Sequence, residues 1–490
     1  MDRREFIKGT AWMGAVAAAS GCMTSGSGCG AESGGTMATY ADKPFAKLRV
    51  GVIGLGRGAA GYGNFSVIPG CEVTAICDLN AARIKRALEV IAKNGQKTPP
   101  KVYTGGPEEW KKLCDDPNVD LVHNSTPWEL HVPIALYAMR AGKHVATEVP
   151  SAFTVDQCWE LVETSEKLRR HCMQLENCCY GEAEMLAFNL VRKGVLGEVV
   201  HGEGAYIHDL RSHNYNKWND PDPSSVSAYW NYWRLRHNVQ HKGNQYPTHG
   251  LGPVCQYMDI NRGDRFDYLV SLESAQHNFE AYGKAKYPAG SWESDLKVAM
   301  GDMNTLLIKT KRGRSIMIQH DVSSPRPYSR INRVTGTKGA FEGIVMGDPK
   351  AKDPFAAAVT NGCYCRFGWE DEPGKGVHSY FDAQKTEEMR RKYAHPLWAQ
   401  TGELAKKMGG HGGMDFLMVL RIAYCMQNGL PLDQNVYDLA SWCSLCELSE
   451  KSVRNRSASV DVPDFTRGAW ETTPRLEIGA VDIGKMGLKA

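Results

Sequence analysis

The chain has 490 residues, 42% of them hydrophobic, and 58 Lys and Arg against 55 Asp and Glu, a net charge of +3. That near balance, with no long basic block, argues against nucleic acid as a partner. The length allows two or three domains with substantial cores.

The N-terminus reads as a leader. Asp2-Arg3-Arg4-Glu5-Phe6-Ile7-Lys8 carries paired arginines, an apolar pair and a closing lysine, followed by small and apolar residues over 9–19. This is the pattern of a bacterial twin-arginine export signal, and it falls short of the ~20 strongly apolar residues of a membrane-spanning helix. Ala19-Ser20-Gly21-Cys22 resembles a lipoprotein cleavage box, which leaves both a lipid anchor at Cys22 and plain export open. Residues 24–36, rich in Ser and Gly, suit a flexible tether, so 1–40 belong to no folded domain. The expected location is the periplasm, free or membrane-anchored, reached through the twin-arginine machinery. That route moves folded proteins, so a nucleotide carried along must be recycled in place.

Residues 45–170 read as a nucleotide-binding Rossmann domain, a doubly wound parallel sheet. Leu48–Ile53 is a β-branched strand that breaks into Gly54-Leu55-Gly56-Arg57-Gly58-Ala59, a G-x-G-x-x-A turn that brings bare N–H groups and a helix N-terminus to a pyrophosphate. A second strand, 72–77, ends in Asp78, where a carboxylate accepts ribose hydroxyls and repels a 2′-phosphate, selecting NAD. Strand 119–124 delivers Trp128 and His131, and strand 144–147 delivers Glu148-Val149-Pro150, to the end of the sheet where ligands gather.

Residues 171–455 read as a substrate domain, followed by 456–490, which suit an ordered tail or an oligomer contact. The expected elements are a strand over 173–177, a helix over 182–192 and sheet strands over 199–209, 267–274, 305–310 and 315–321. The last two join through Lys311-Arg312-Gly313-Arg314, a hairpin turn. Residues 208–264 form a long, poorly periodic stretch dense in Tyr, Trp, Arg, His and Asn, a composition that fits the apolar faces and hydroxyl rims of a carbohydrate. Helical patterns over 413–427 and 435–454 are expected to pack back on the first domain.

Fifteen cysteines would suggest disulfides in an exported chain, yet most lie in apolar runs and read as core thiols. Cys443-Ser444-Leu445-Cys446 has redox spacing inside a helical pattern, and Cys178-Cys179 reads as a strand with one residue facing each side. No metal-ligand spacing is convincing, so no metal is expected.

From the fingerprint through Asp78 to Glu148-Val149-Pro150 the chain resembles the Gfo/Idh/MocA oxidoreductases, which join such a nucleotide domain to an α+β domain with a large, open, mostly antiparallel sheet. Their dehydrogenases usually carry Glu-Lys-Pro at this place, and the apolar Val149 cannot move a proton. Tyr246-Pro247-Thr248-His249-Gly250-Leu251-Gly252-Pro253 and His411-Gly412-Gly413-Met414-Asp415-Phe416 extend the resemblance to glycoside hydrolase family 109, the NAD-dependent α-N-acetylgalactosaminidases. That resemblance implies NAD contacts at Leu55, Arg57, Asp78, Trp128, His131, Glu148, Val149 and Asn177, beside Gly54 and Gly56 of the turn. It implies sugar contacts at Tyr206, Arg234, Tyr246, Thr248, His249 and Tyr328. It also implies hydrolysis of a terminal α-N-acetylgalactosamine through oxidation at C3, loss of the C2 proton, elimination, water addition and re-reduction, with NAD held tightly and no net NADH. His249 is the first choice for acid/base work, because imidazole both takes and gives a proton near neutral pH; Tyr180 and Tyr246 follow. For His411 and Asp415, site support and helix capping are both open. The alternatives are an exported NAD(P)-dependent sugar oxidoreductase of the same superfamily and a non-catalytic sugar-binding protein.

Overall fold

The computed structural model describes residues 35–56, 59–215, 229, 232–345 and 363–488, so the leader with Cys22 and the turn residue Arg57 lie outside the described residues. Six strands form the first sheet: β1 (Leu48–Ile53), β2 (Cys71–Cys77), β3 (Lys101–Tyr103), β4 (Leu121–Asn124), β5 (His144–Thr147) and β6 (Cys172–Gln174). Their order is β3-β2-β1-β4-β5-β6 and every pair is parallel. β4, β5 and β6 are buried at every position, as strands covered by helices on both faces must be. The order reverses between β1 and β4, and the crevice for a ligand opens there. Gly54 N donates to Cys77 O at 2.9 Å and Ser125 N to Ile53 O at 2.8 Å, which fixes the two loops that line it.

The second sheet holds β7 (Val199–Ile207), β8 (Phe266–Glu273), β9 (Asn304–Thr310), β10 (Ser315–Asp321), β11 (Arg333–Gly336), β12 (Gly339–Val345), β13 (Cys363–Trp369) and β14 (Val460–Asp461). The order is β13-β12-β11-β7-β10-β9-β8-β14, with only β7 and β10 parallel. This is the doubly wound sheet plus open, mostly antiparallel sheet expected from the sequence.

Several elements differ from expectation. β6 stops at Gln174, and Asn177–Tyr180 is a 3-10 turn, because the Glu176 carboxylate accepts the Cys178 N–H at 3.0 Å and ends the strand. Cys178 and Cys179 are therefore turn residues, both buried. The stretch 208–264 contains helices Arg211–Tyr215, Trp233–Gln240 and Thr248–Tyr257. The last has Gly250 and Gly252 within it and is buried at nine of its ten positions, which erases the one-sided pattern by which helices are recognised. A Cβ on Gly250 would stand 2.2 Å from Ala205 N, and one on Gly204 would stand 2.1 Å from Gly250 O, so helix and β7 touch through bare backbone.

Helix Met414–Asn428 packs on helix Ala59–Phe65 and on the Asn177–Tyr180 turn, and helix Val436–Arg454 packs on helix Val155–Leu168 and on β6. These contacts bind the two domains together. Past residue 456 the chain is integrated: β14 pairs with β8, and Ile478 and Val481 are buried in the main core. The twelve cysteines whose side chains are described are free thiols, all buried but Cys71, and Cys443 Sγ donates to Gln174 Oε1 at 2.8 Å.

Candidate active site

A cleft of about 1750 Å³ runs from the C-terminal ends of β1, β2, β4 and β5 to β7 of the second sheet. One half is built from the nucleotide-binding loops. Gly54 has φ +86° and a Cβ there would lie 2.5 Å from Ser125 O, so only glycine lets the turn close. Asp78 accepts Leu55 N at 2.7 Å and Asn80 N at 2.8 Å, so the carboxylate braces the turn from the end of β2 while facing the cleft. Leu55 itself is buried, is absent from the cleft lining, and gives its N–H to Asp78.

Trp128, His131, Glu148, Val149 and Asn177 all line the cleft. Trp128 Nε1 donates to Val149 O at 3.3 Å. The two ring nitrogens of His131 lie 2.8 Å from Pro150 O and Thr126 O, and burial pushes the imidazole down to about 4, so this ring joins the two walls. Burial, reinforced by Asp415, pushes the Glu148 carboxyl up to about 7. A bare-backbone glycine turn, a carboxylate at the end of β2 and apolar walls beyond them fit a dinucleotide laid across the switch point.

The other half is aromatic. Tyr206 on β7 lies 4.5 Å from Tyr246, 5.2 Å from His249 and 6.3 Å from Tyr328, ring centre to ring centre. The Arg234 guanidinium stands 4.9 Å from the Trp128 ring, 4.7 Å from Tyr246 and 5.2 Å from Tyr229. It is 3% exposed and Nη1 donates to Tyr229 at 2.8 Å, while Nε and Nη2 are buried with no partner. Leaving such donors unmade costs roughly 1–3 kcal/mol each, so they mark where a ligand oxygen belongs.

His249 opens helix Thr248–Tyr257, and its Nδ1 lies 2.8 Å and 3.0 Å from the two oxygens of Glu176. Glu176 is fully buried. Burial alone would raise this carboxyl, but the His249 imidazole and the Cys178 N–H outweigh it and hold the group below its ordinary range, as a carboxylate. It fixes the ring so that Nε2 faces Tyr246 Oη at 3.4 Å. Sequence reasoning missed Glu176, whose signal was an acid directly after a strand at the ligand end of the sheet.

Three sequence expectations need correction. Tyr180 is fully buried away from the cleft, and its hydroxyl donates to Asp433 at 3.2 Å, beside the Arg421–Asp433 ion pair. Thr248 is also fully buried and contributes nothing to the cleft lining; its side chain lies beside Glu176 behind it. Tyr246 does line the cleft, but burial, with Tyr206 beside it, pushes its hydroxyl well above the ordinary tyrosine range. That shift favours the protonated hydroxyl, which suits a hydrogen-bond donor better than a base.

Asp415 is not a cap. The N-cap of its helix is Gly413, with no side-chain bond, and the Asp415 oxygens take His411 Nδ1 at 2.7 Å and Asn177 Nδ2 at 2.6 Å. Among the described residues Glu176, Cys178 and His249 also bring potential metal-ligand atoms within 4.8 Å of one another, a grouping invisible in sequence because it spans two elements. Burial holds the Cys178 thiol well above its ordinary range, and the Glu176 oxygens are already engaged by His249 and by the Cys178 N–H.

Fold and site together define an NAD-binding oxidoreductase scaffold that carries a sugar-type pocket. Residues 48–175 match the oxidoreductase family with NAD-binding Rossmann fold, and residues 180–472 match the C-terminal domain of glycosyl hydrolase 109. The chain is 46% identical over 437 residues to glycosyl hydrolase family 109 protein 1 of Shewanella sp. strain ANA-3, covering 88% of each chain. It is 46% identical over 435 residues, with the same coverage, to a Shewanella oneidensis protein named alpha-N-acetylgalactosaminidase. The chain belongs to glycosyl hydrolase family 109 and is an NAD-dependent glycoside hydrolase. Among solved structures it resembles an oxidoreductase domain protein from Kribbella flavida, at TM-score 0.63 and 17% identity over 86% of this chain and 100% of that one. A levoglucosan dehydrogenase with NADH and levoglucosan gives TM-score 0.60 and 17% identity over 85% and 100%; both show the shared fold.

Proposed function

We propose that the enzyme hydrolyses α-N-acetylgalactosaminides by an elimination and addition route, with one tightly held NAD restored in every turnover. The observation that carries this reading is the His249–Glu176 pair, which faces an aromatic pocket with the unpartnered donors of Arg234 in its wall. The relative named alpha-N-acetylgalactosaminidase, with 88% coverage of each chain, supports the choice of sugar. NAD, when bound, supplies a reversible hydride acceptor that makes C3 of the sugar a ketone between the first and last steps.

The residues of the chain do the rest. A C3 ketone acidifies the hydrogen on C2, and His249, neutral at Nε2 and oriented by Glu176, accepts it. Tyr206, Tyr246 and Trp128 cover the apolar face of the ring and keep water from it, and Arg234 offers the donors of two nitrogens, Nε and Nη2, to a ring substituent. Val149 stands where a dehydrogenase of the superfamily usually has its lysine, in keeping with a reaction that ends without net oxidation. The leader supports export by the twin-arginine route, to the periplasm or to a lipid anchor at Cys22, with the nucleotide already bound.

The test is incubation with an aryl α-N-acetylgalactosaminide in deuterated water. The expected result is release of the phenol, deuterium at C2 and no net NADH. Release without C2 deuterium removes the elimination route. Accumulated NADH without phenol would instead mark a sugar oxidoreductase.

A further inference from the structure

We propose that the buried Arg330–Glu184 ion pair is a positioning device for the sugar site: it holds Tyr328 so that the phenol donates a hydrogen bond to a non-reacting oxygen of the bound sugar. This assignment rests on the sugar reading above and adds to it two residues that lie outside the cleft lining.

Tyr328 lines the cleft, its ring nearly perpendicular to those of Tyr206 at 6.3 Å and His208 at 5.1 Å. Its oxygen is held from behind. Arg330 Nη1 donates to Tyr328 Oη at 3.1 Å, and Arg330 is buried. A guanidinium has only donors to give, so this bond fills an acceptor position of the phenol and turns the phenol's own O–H elsewhere. Among the described residues no other partner meets Tyr328 Oη, which leaves that proton for a ligand in the cleft. Burial pushes the hydroxyl well above the ordinary tyrosine range while Arg330 opposes the shift, so the phenol keeps its proton and serves as a donor.

The ion pair is bent toward this task. Arg330 Nε and Nη2 both donate to one oxygen, Glu184 Oε1, at 3.0 Å and 2.7 Å, while Glu184 Oε2 is buried with no partner. A guanidinium and a carboxylate left to themselves favour two parallel bonds to two oxygens. Here the fork is shifted along the carboxylate, and the third nitrogen reaches Tyr328. Glu184 is buried in the first turn of helix Glu182–Arg192, and a Cβ on Gly181 would collide with its Oε2. The glycine therefore admits the carboxylate.

The backbone around Arg330 is pinned on both sides. Ala205 N donates to Arg330 O at 2.7 Å and Ile207 N to Ser329 O at 3.1 Å, so residues 328–330 run along the end of β7 that carries Tyr206. The next two residues, Ile331 at φ +61° and Asn332 at φ +53°, are left-handed. A β-branched residue in that region is strained and persists only where its surroundings impose it. Asn332 N donates to Arg330 O at 2.7 Å, Gly343 N to Asn332 O at 2.8 Å and the Tyr257 hydroxyl to Asn332 Oδ1 at 2.9 Å, which holds the turn. One short segment, anchored at both ends, thus sets Arg330 and Tyr328 together.

The experiment is a double-mutant cycle on the nucleotide-bound enzyme, with N-acetylgalactosamine as the calorimetric ligand and a nitrophenyl α-N-acetylgalactosaminide as the substrate. Tyr328→Phe is crossed with the joint change Arg330→Met and Glu184→Gln, which leaves no lone buried charge. Each side of the cycle is expected to weaken sugar binding about tenfold. KM should rise by the same factor with kcat within about threefold of the parent, because a bond to a non-reacting oxygen is made alike before and during the reaction. The two changes together are expected to lose no more than Tyr328→Phe alone. Arg330→Lys keeps a cation for Glu184 but cannot reach Tyr328 as well; it is expected to show the same loss, and it stands in if the joint variant does not fold. Losses that add, an unchanged affinity in either Arg330 variant, or a loss confined to kcat overturn the positioning role and leave the sugar reading standing. A parent enzyme that binds no N-acetylgalactosamine and releases no nitrophenol overturns both.

Discussion

Nδ1 of His249 lies 2.8 Å from a carboxylate of Glu176 that no solvent reaches. The carboxylate therefore sets the tautomer and leaves Nε2 as the nitrogen free to accept a proton. Glu176→Gln is expected to lower kcat roughly 10²–10⁴-fold with a small change in KM, because the general base loses its orientation and charge partner. Single-turnover kinetics with the nucleotide content measured in parallel would check it; a change confined to KM would refute it.

Arg234 is a buried cation whose described neighbours are rings rather than carboxylates. Arg234→Met is expected to weaken substrate binding by about 2 kcal/mol, the value of hydrogen bonds from a charged donor, and to raise the melting temperature of the free protein. Calorimetric titration and thermal melts read the two effects separately. A variant that binds normally would take Arg234 out of the sugar site.

Tyr180→Phe separates the core from the cleft. It removes one hydrogen bond to Asp433, so a stability loss of about 1 kcal/mol is expected. Turnover should stay within about twofold of the parent, since the hydroxyl lies outside the cleft. A loss comparable to that expected for Glu176→Gln would reinstate the tyrosine as a catalytic candidate.

Glu148 gives a pH signature. Its carboxyl moves from an ordinary 4.5 up to about 7 through burial and then Asp415. Folding thus favours the protonated form. That contribution is fully present below pH 4.5 and is lost as pH rises through 7, up to about 3 kcal/mol in all. Glu148→Gln should therefore gain stability relative to the parent between pH 5 and 8. Urea unfolding of the nucleotide-free protein at both pH values measures the gap; a constant difference would contradict the shift.

The nucleotide domain was legible because each of its signals is local. A β-branched strand, a glycine turn and an acid at the end of the next strand are read in chain order, and Leu48–Ile53 and Asp78 stand where they were expected. The sugar pocket was harder. Its ring-facing residues lie between 206 and 328 on a strand, two helices and loops, and helix Thr248–Tyr257 is too evenly buried and too rich in glycine to show a helical period. Glu176 and Asp415 went unrecognised as partners because their histidines are 73 and 4 residues away, and only folding shows which carboxylate meets which ring. Strands β11 to β13 escaped notice because glycines and the charged residues Arg333, Glu342 and Arg366 interrupt their apolar runs.

The bare contact between Gly250 and the Gly204–Ala205 backbone sets how deep His249 stands. Its length is governed by atomic radii, with no rotamer to relax and no side chain to yield. Apart from Tyr206, which sits on β7 itself, the aromatic rim hangs on separate loops and helices. Selectivity for one sugar over another can therefore drift by exchanging rim residues, while the position of the His249 imidazole stays anchored to the frame.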